Sequence, residues 1–156
     1  MPSITIRRSR AQARTVGGVS ATTAPTAGYS GTPLGRKLGL KPGQRIVFEN
    51  APADGWVDVP DGATVLKRPA GRLDVVVTFQ TQRAQLARRL AALRPKLQPA
   101  WMIWVAWPKK ASEVATDITE DVVSEIALAG DLVDVKVCAI DATWSGLKLV
   151  IRKDAR

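Results

Sequence analysis

Leu73-Asp-Val-Val-Val-Thr-Phe79 and Trp101-Met-Ile-Trp-Val-Ala-Trp107 are the two stretches whose reading decides the fold. Both are dense in β-branched and aromatic residues and neither alternates with polar ones, which is the pattern of strands buried on both faces of a parallel sheet. In the second stretch, the period of two puts Trp101, Ile103, Val105 and Trp107 on one face and Met102, Trp104 and Ala106 on the other. A strand apolar on both faces belongs in the middle of a sheet. Between the two lies a helix expected from about Gln82 to Leu93, where Leu86, Leu90 and Leu93 recur at helical spacing while Arg83, Arg88 and Arg89 face water. Pro95 and Pro99 close it. Two strands separated by a helix pair most economically in parallel, because the helix supplies the crossover.

Upstream, Thr32-Pro33 reads as a helix start, with Thr32 as cap and Pro33 at the first helical position, where its missing N–H costs nothing. Leu34 and Leu38 share a face, and Gly39 ends the helix. Lys41-Pro-Gly43 is a turn, Arg45 to Phe48 a strand, Trp56 to Val59 a turn of helix, and Ala63 to Leu66 a short second strand. Downstream, Asp117-Ile-Thr-Glu120 has capping-box spacing, with either Asp117 or Thr119 as cap. Val122, Val123, Ile126 and Ala127 form the apolar stripe of the helix that follows, and Gly130 lies near its end. Two final strands, Leu132 to Asp141 and Leu147 to Lys153, flank the hairpin Ala142-Thr-Trp-Ser-Gly146. The expected fold class is therefore α/β, a single three-layer domain over residues 28–156. Its mainly parallel sheet is closed by a C-terminal antiparallel hairpin, with helices on both faces. The order is Rossmann-like and resembles the second half of a methyltransferase fold in degenerate form, an analogy of architecture only.

Charge is distributed unevenly. The chain has 156 residues and a net charge of +9. Residues 1–48 hold eight bases and no acid, whereas residues 49–156 hold 15 bases against 14 acids. Residues 1–27, rich in Arg, Ser, Thr, Ala and Gly, lack the apolar content to offset the entropy of ordering and are expected to be a mobile arm. Arg7, Arg8, Arg10 and Arg14 make that arm a candidate contact for nucleic acid or an acidic protein, the other reading being a solubilising tail. Ser3-Ile-Thr-Ile6 is too short to be a stable strand alone. No apolar run is long enough to span a bilayer, and no secretory h-region is present, so no membrane attachment is expected.

The chain contains no His and one Cys. That excludes Ser-His and Cys-His nucleophile pairs, His-ligated zinc, an internal disulfide and a Cys-rich metal site. Cys138 sits in an apolar run and reads as core. In an open parallel sheet, ligands gather at the carboxyl ends of the strands. That rule selects Glu49 and Asn50 after the first strand, Thr78 and Gln80 after the third, and Lys109, Lys110 and Ser112 after the fourth. The lysine pair with its serine is the strongest candidate for holding a phosphate or carboxylate; otherwise it is a solvated pair balanced by Glu113, Asp117, Glu120 and Asp121. Trp144 at the hairpin tip is either a partner anchor or a ring folded back onto the sheet. No base or third member accompanies Ser112 or Ser145, so no catalytic residue is assigned.

A methyltransferase-like order raises the question of S-adenosylmethionine, which ordinarily sits on a glycine-rich turn after the first strand. Here that segment is Phe48-Glu-Asn-Ala-Pro-Ala-Asp-Gly55, with one glycine. Roughly fifteen residues separate the first two strands, too few for a full crossover helix and its loops. Neither a Gly-x-Gly-x-x-Gly nor a phosphate-loop pattern occurs, and no cofactor is expected.

Several segments together carry a family resemblance: Gly28-Tyr-Ser-Gly-Thr-Pro-Leu34, Leu38-Gly-Leu-Lys-Pro-Gly43, Trp104-Val-Ala-Trp-Pro-Lys-Lys-Ala-Ser112, Thr116-Asp-Ile-Thr-Glu-Asp-Val-Val123 and Val133-Asp-Val-Lys-Val-Cys-Ala-Ile-Asp-Ala-Thr-Trp-Ser-Gly-Leu147. Over residues 28–152 the chain resembles an actinobacterial family of small cytoplasmic proteins known as domain of unknown function number three thousand and fifty-two. The resemblance implies one domain and a bacterial cytoplasmic location, and it implies no activity, cofactor or catalytic residue. The expected function is that of a non-catalytic binding or regulatory module whose basic arm contacts a polyanion. The alternative is a small divergent enzyme such as an S-adenosylmethionine-dependent methyltransferase, using Glu49 or Lys109.

Overall fold

The computed structural model describes residues 33–153. The 1–27 arm, with its four arginines and the Ser3–Ile6 run, lies outside them, as does Thr32. Six strands form one sheet: β1 (Arg45–Glu49), β2 (Thr64–Leu66), β3 (Val75–Phe79), β4 (Met102–Pro108), β5 (Leu132–Ala139) and β6 (Trp144–Ile151). Their order across the sheet is β2-β1-β3-β4-β6-β5. Strands β1 to β4 pair in parallel. Strand β6 runs antiparallel to both of its neighbours, so β5 points the same way as β1 to β4. From β1 the chain steps to one side for β2 and then crosses to the other for β3. This places a topological switch point between the carboxyl ends of β1 and β3. The architecture is Rossmann-like: a mixed sheet, mostly parallel, with antiparallel pairing at its C-terminal strands.

The two decisive stretches behave as their composition dictates. All five residues of β3 are buried, and Ile103 to Pro108 of β4 are buried as well. The β4 side chains divide as the period of two requires. Trp101, Ile103, Val105 and Trp107 join one core cluster, and Trp104 and Ala106 join the other, with Met102 packed against it.

The two faces are covered unequally. Helices α2 (Arg83–Leu93) and α3 (Glu120–Ala129) lie on one face, contributing Leu86, Leu90, Leu93, Val123 and Ala127 to a single cluster. The opposite face has only the four-residue helix α1 (Leu34–Lys37), the segment that follows it and the β1–β2 loop. Pro33 occupies the cap position of α1 rather than its first turn. Gly39 ends that helix at φ +80°, a conformation that glycine adopts without cost. Trp56 to Val59, expected as a turn of helix, is irregular. Its physical role is cover: Val57 is buried and Trp56 packs against the same cluster as Leu38 and Leu40.

Two contacts hold this thin layer down. The indole N–H of fully buried Trp104 donates to the Leu38 carbonyl at 2.8 Å. The Asp58 carboxylate accepts from the Gly35 N–H at 2.8 Å. That approach is possible only because position 35 has no side chain, since a Cβ there would overlap the Asp58 carbonyl oxygen. Gly35→Ala is therefore expected to destabilise the protein by about 1–3 kcal/mol, measured by urea unfolding, through forced separation of α1 from the loop.

Candidate functional site

At the switch point, β1 ends in Glu49 and the chain turns off the sheet at Asn50, whose φ of +58° is a left-handed conformation that asparagine tolerates better than most residues. The Asn50 side-chain amide donates to the Phe79 carbonyl at 3.1 Å, tying the end of β1 to that of β3. Beyond Phe79, the Gln80 backbone N–H extends the ladder to the Ala106 carbonyl at 2.9 Å. Its side chain is almost wholly buried, with Nε2 donating to Thr78 Oγ1 at 2.8 Å. Helix α2 passes over these ends and presents Gln85, Arg88, Arg89 and Ala92, a stripe at i, i+3, i+4 and i+7. Asn50, Gln80 and that stripe line an open depression of about 370 Å³.

At one edge of the depression Arg89 is held by Glu49, which lies outside the lining. The Arg89 guanidinium donates twice to the carboxylate, from Nε to Oε1 at 2.9 Å and from Nη2 to Oε2. The Glu49 side chain is 14% exposed and that of Arg89 31%. The hydrogen bond to Glu49 raises the Arg89 pKa above its ordinary value, with burial opposing the effect. Arg89, expected to face water, is thus half-buried and paired. Arg88 is exposed and makes no hydrogen bond or ion pair among the described residues.

The other candidates are dispersed. Lys109, Lys110 and Ser112 follow β4, which is separated from β1 by β3, so they do not share the depression with Asn50 or adjoin the Glu49–Arg89 pair. The Ser112 hydroxyl donates to the Lys109 carbonyl at 2.6 Å and accepts from the Val114 N–H at 3.3 Å, within its own turn. Thr78 is fully buried. Trp144 stands at the start of β6 rather than on an open tip, half-buried, with its ring edge-on to Phe79 at 5.1 Å. It ends an aromatic row in which Trp56 meets Phe48 and Phe79, each at 4.9 Å.

The helix caps settle the choice left open by the sequence. Thr119 Oγ1 accepts from the Val122 N–H and caps α3. Asp117 accepts from the Arg83 N–H at 2.6 Å, capping α2 instead. Asp141 Oδ1 accepts from the N–H groups of Thr143 and Trp144 at 2.8 Å each and fixes the hairpin turn. Cys138 is buried; burial raises its thiol pKa, against the lowering influence of Lys37, Lys136 and Lys109. Among the described residues, no three His, Cys, Asp or Glu side chains converge on a metal position, and no helix is long and apolar enough to cross a membrane.

No family model and no curated protein matches the chain. Solved structures do resemble it. A Streptococcus agalactiae protein in the NADB-Rossmann superfamily is 12% identical, with TM-score 0.46, over 76% of this chain and 67% of its own. The Methanococcus jannaschii fibrillarin pre-rRNA processing protein is 12% identical, with TM-score 0.47, over 80% of this chain and 71% of its own. A Sulfolobus solfataricus protein described as a type 11 methyltransferase is 12% identical, with TM-score 0.44, over 60% of each chain. At these identities the likeness is one of fold.

Two outcomes follow from the geometry. In a double-mutant cycle of Glu49→Ala and Arg89→Ala followed by urea unfolding, the pair should show a coupling of about 1–3 kcal/mol, between the limits for exposed and buried ion pairs. Cys138 should react with iodoacetamide far more slowly than a free cysteine at pH 8, because burial restricts access and its raised pKa leaves less thiolate at that pH; unfolding in urea should restore the rate.

Proposed function

We propose that this protein is a non-catalytic binding module that takes a small anionic ligand in the depression at the β1–β3 switch point. Its polyanion contacts come from the basic N-terminal arm, with Arg7, Arg8, Arg10 and Arg14. Membership of the actinobacterial family and a cytoplasmic location belong to the same proposal. The observation that carries it is the way polar groups are used around the strand ends. Glu49 is held by Arg89, Asp117 caps α2, Asp141 fixes the hairpin, and the Ser112 hydroxyl is engaged in its own turn. Each of these four groups already has a structural partner. The groups that remain available are of another kind. The Arg88 guanidinium and the Gln85 carboxamide have no hydrogen-bond partner among the described residues, and both line the depression with donors to offer. A cation beside carboxamides can hold a carboxylate or phosphate and has no means of moving a proton.

The methyltransferase alternative agrees with the architecture alone, and the residues after β1 do not fit S-adenosylmethionine. No helix follows β1, so no helix N-terminus faces the strand end. The only glycine of that turn, Gly55, stands six residues beyond the end of β1 rather than at the strand end. Trp56 fills the region beside Phe48 and Phe79.

Titration of the full chain with pyrophosphate should shift the side-chain amide resonances of Asn50, Gln80 and Gln85, and Arg88→Ala should weaken that binding about tenfold, equivalent to about 1.4 kcal/mol. Unmoved amide signals at millimolar pyrophosphate would sink the small-anion reading. S-adenosylmethionine should give no heat in calorimetry, and saturable binding would restore the enzyme alternative.

A further inference from the structure

The face of the sheet opposite α2 and α3 carries a charge arrangement that the depression does not involve. In the β5–β6 register, Lys136 lies directly across from Lys148. Residues directly opposite in an antiparallel pair share a face and are in contact range, and like charges placed so are destabilising. Leu147 and Leu149 enter the cluster beneath α2 and α3, so Lys148 between them points to the α1 face. There it neighbours Trp104, its register partner on β4, whose indole holds the Leu38 carbonyl. Lys136 Nζ donates to the Lys37 carbonyl at the last turn of α1, at 3.4 Å. Lys37, Lys136 and Lys109 all lie near enough to the Cys138 thiol to act on it electrostatically. Arg36 is exposed beside Lys37 on α1.

Four of these cations are not offset by acids among the described residues. Among the described residues, ion pairs use Arg72, Arg83, Arg89, Arg94 and Arg152, and none includes Arg36, Lys109, Lys136 or Lys148. The nearest acid on β5, Asp134, is the register partner of Leu149 and so belongs to the opposite face. A cross-strand lysine pair kept without a carboxylate partner leaves the compensating charge to come from outside the fold.

We propose that the α1 face, through Lys136 and Lys148 with Arg36 and Lys109, docks the phosphate backbone of duplex nucleic acid. The choice of a polyanion rests on the proposed function, while the surface is additional to the arm and lies on the folded domain. Single strands are recognised by bases stacking on exposed aromatic rings. On this face Trp104 is fully buried and Trp144 is engaged with Phe79. A lysine-rich surface without free rings matches the backbone of a duplex, where each neutralised phosphate releases counterions. The segment that precedes α1 in the sequence carries no acid.

The test is binding of a labelled 20-base-pair DNA duplex to the full chain across a salt series. Lys136→Gln/Lys148→Gln is compared with a variant in which Arg7, Arg8, Arg10 and Arg14 are all changed to Gln. The lysine variant should bind at least about tenfold more weakly at 0.1 M salt, with the slope of log affinity against log salt reduced by about two. Lys136→Arg/Lys148→Arg should retain binding, which separates charge from any effect on folding. An unchanged slope in the lysine variant, with loss only in the arm variant, overturns the docking face and leaves the arm reading standing. No binding by the wild-type chain overturns both. Loss that the arginine pair also shows overturns a surface based on charge. Lysine-dependent binding to phosphatidylserine vesicles, with duplex binding unaffected, assigns the face to lipid and overturns the proposal as well.

Discussion

Strands β3 and β4 have both faces out of water, and this chain has full-length helices for only one of them. That mismatch shapes the rest of the molecule. Leu86, Leu90 and Leu93 of α2, with Val123 and Ala127 of α3, close one side in the usual way. On the other side the cover is assembled from fragments: a four-residue helix, a loop carrying Trp56 and Val57, and the start of β6 with Trp144. Large rings suit the task because each buries much area for little backbone. A layer so thin requires specific attachments, hence the Trp104 indole on Leu38 and the Asp58 carboxylate on Gly35.

The asymmetry sorts the polar chemistry too. Beneath the helices, the carboxyl ends of β1 and β3 meet the stripe of α2, and a depression forms where side chains from two layers converge. On the thin side no full-length helix overlies β6 and β5, so the lysines of those strands stay near the surface instead of being buried or replaced. One face therefore suits a small ligand and the other an extended partner, and both properties trace to where the helices sit.

The parts of this structure legible in the sequence are those governed by short-range periodicity. The two faces of Trp101 to Trp107, the Leu86–Leu90–Leu93 stripe, the end of α1 at Gly39 and the short strand Thr64–Leu66 all follow from local pattern. The strand-end rule reached Glu49, Asn50, Thr78 and Gln80, because it depends on strand direction alone. Illegible features were those that depend on pairing across the chain. Arg89 looks solvent-facing until β1 is known to end beneath it, 40 residues away. Asp117 reads as a cap for the helix it precedes, yet its carboxylate serves α2, 34 residues back. Lys136 and Lys148 acquire meaning only from register, and the β5 irregularity between Asp134 and Lys136 shifts that register by a residue. Trp56 to Val59 departs from the helical turn its sequence suggests because its residues answer to the cluster they cover rather than to local propensity.

The strand order has a consequence for biosynthesis. Strand β6, the last of these six in chain order, lies between β4 and β5, both of which precede it in the chain. As a nascent chain leaves the ribosome, β1, β3 and β4 can pair as they appear, but β5 has no neighbour to join until residues 144–151 have emerged. Until then the open edge of β4, flanked by Trp104 and Trp107, is exposed to other chains. The sheet becomes resistant to misassembly only once β6 is in place, when one segment closes two gaps at once.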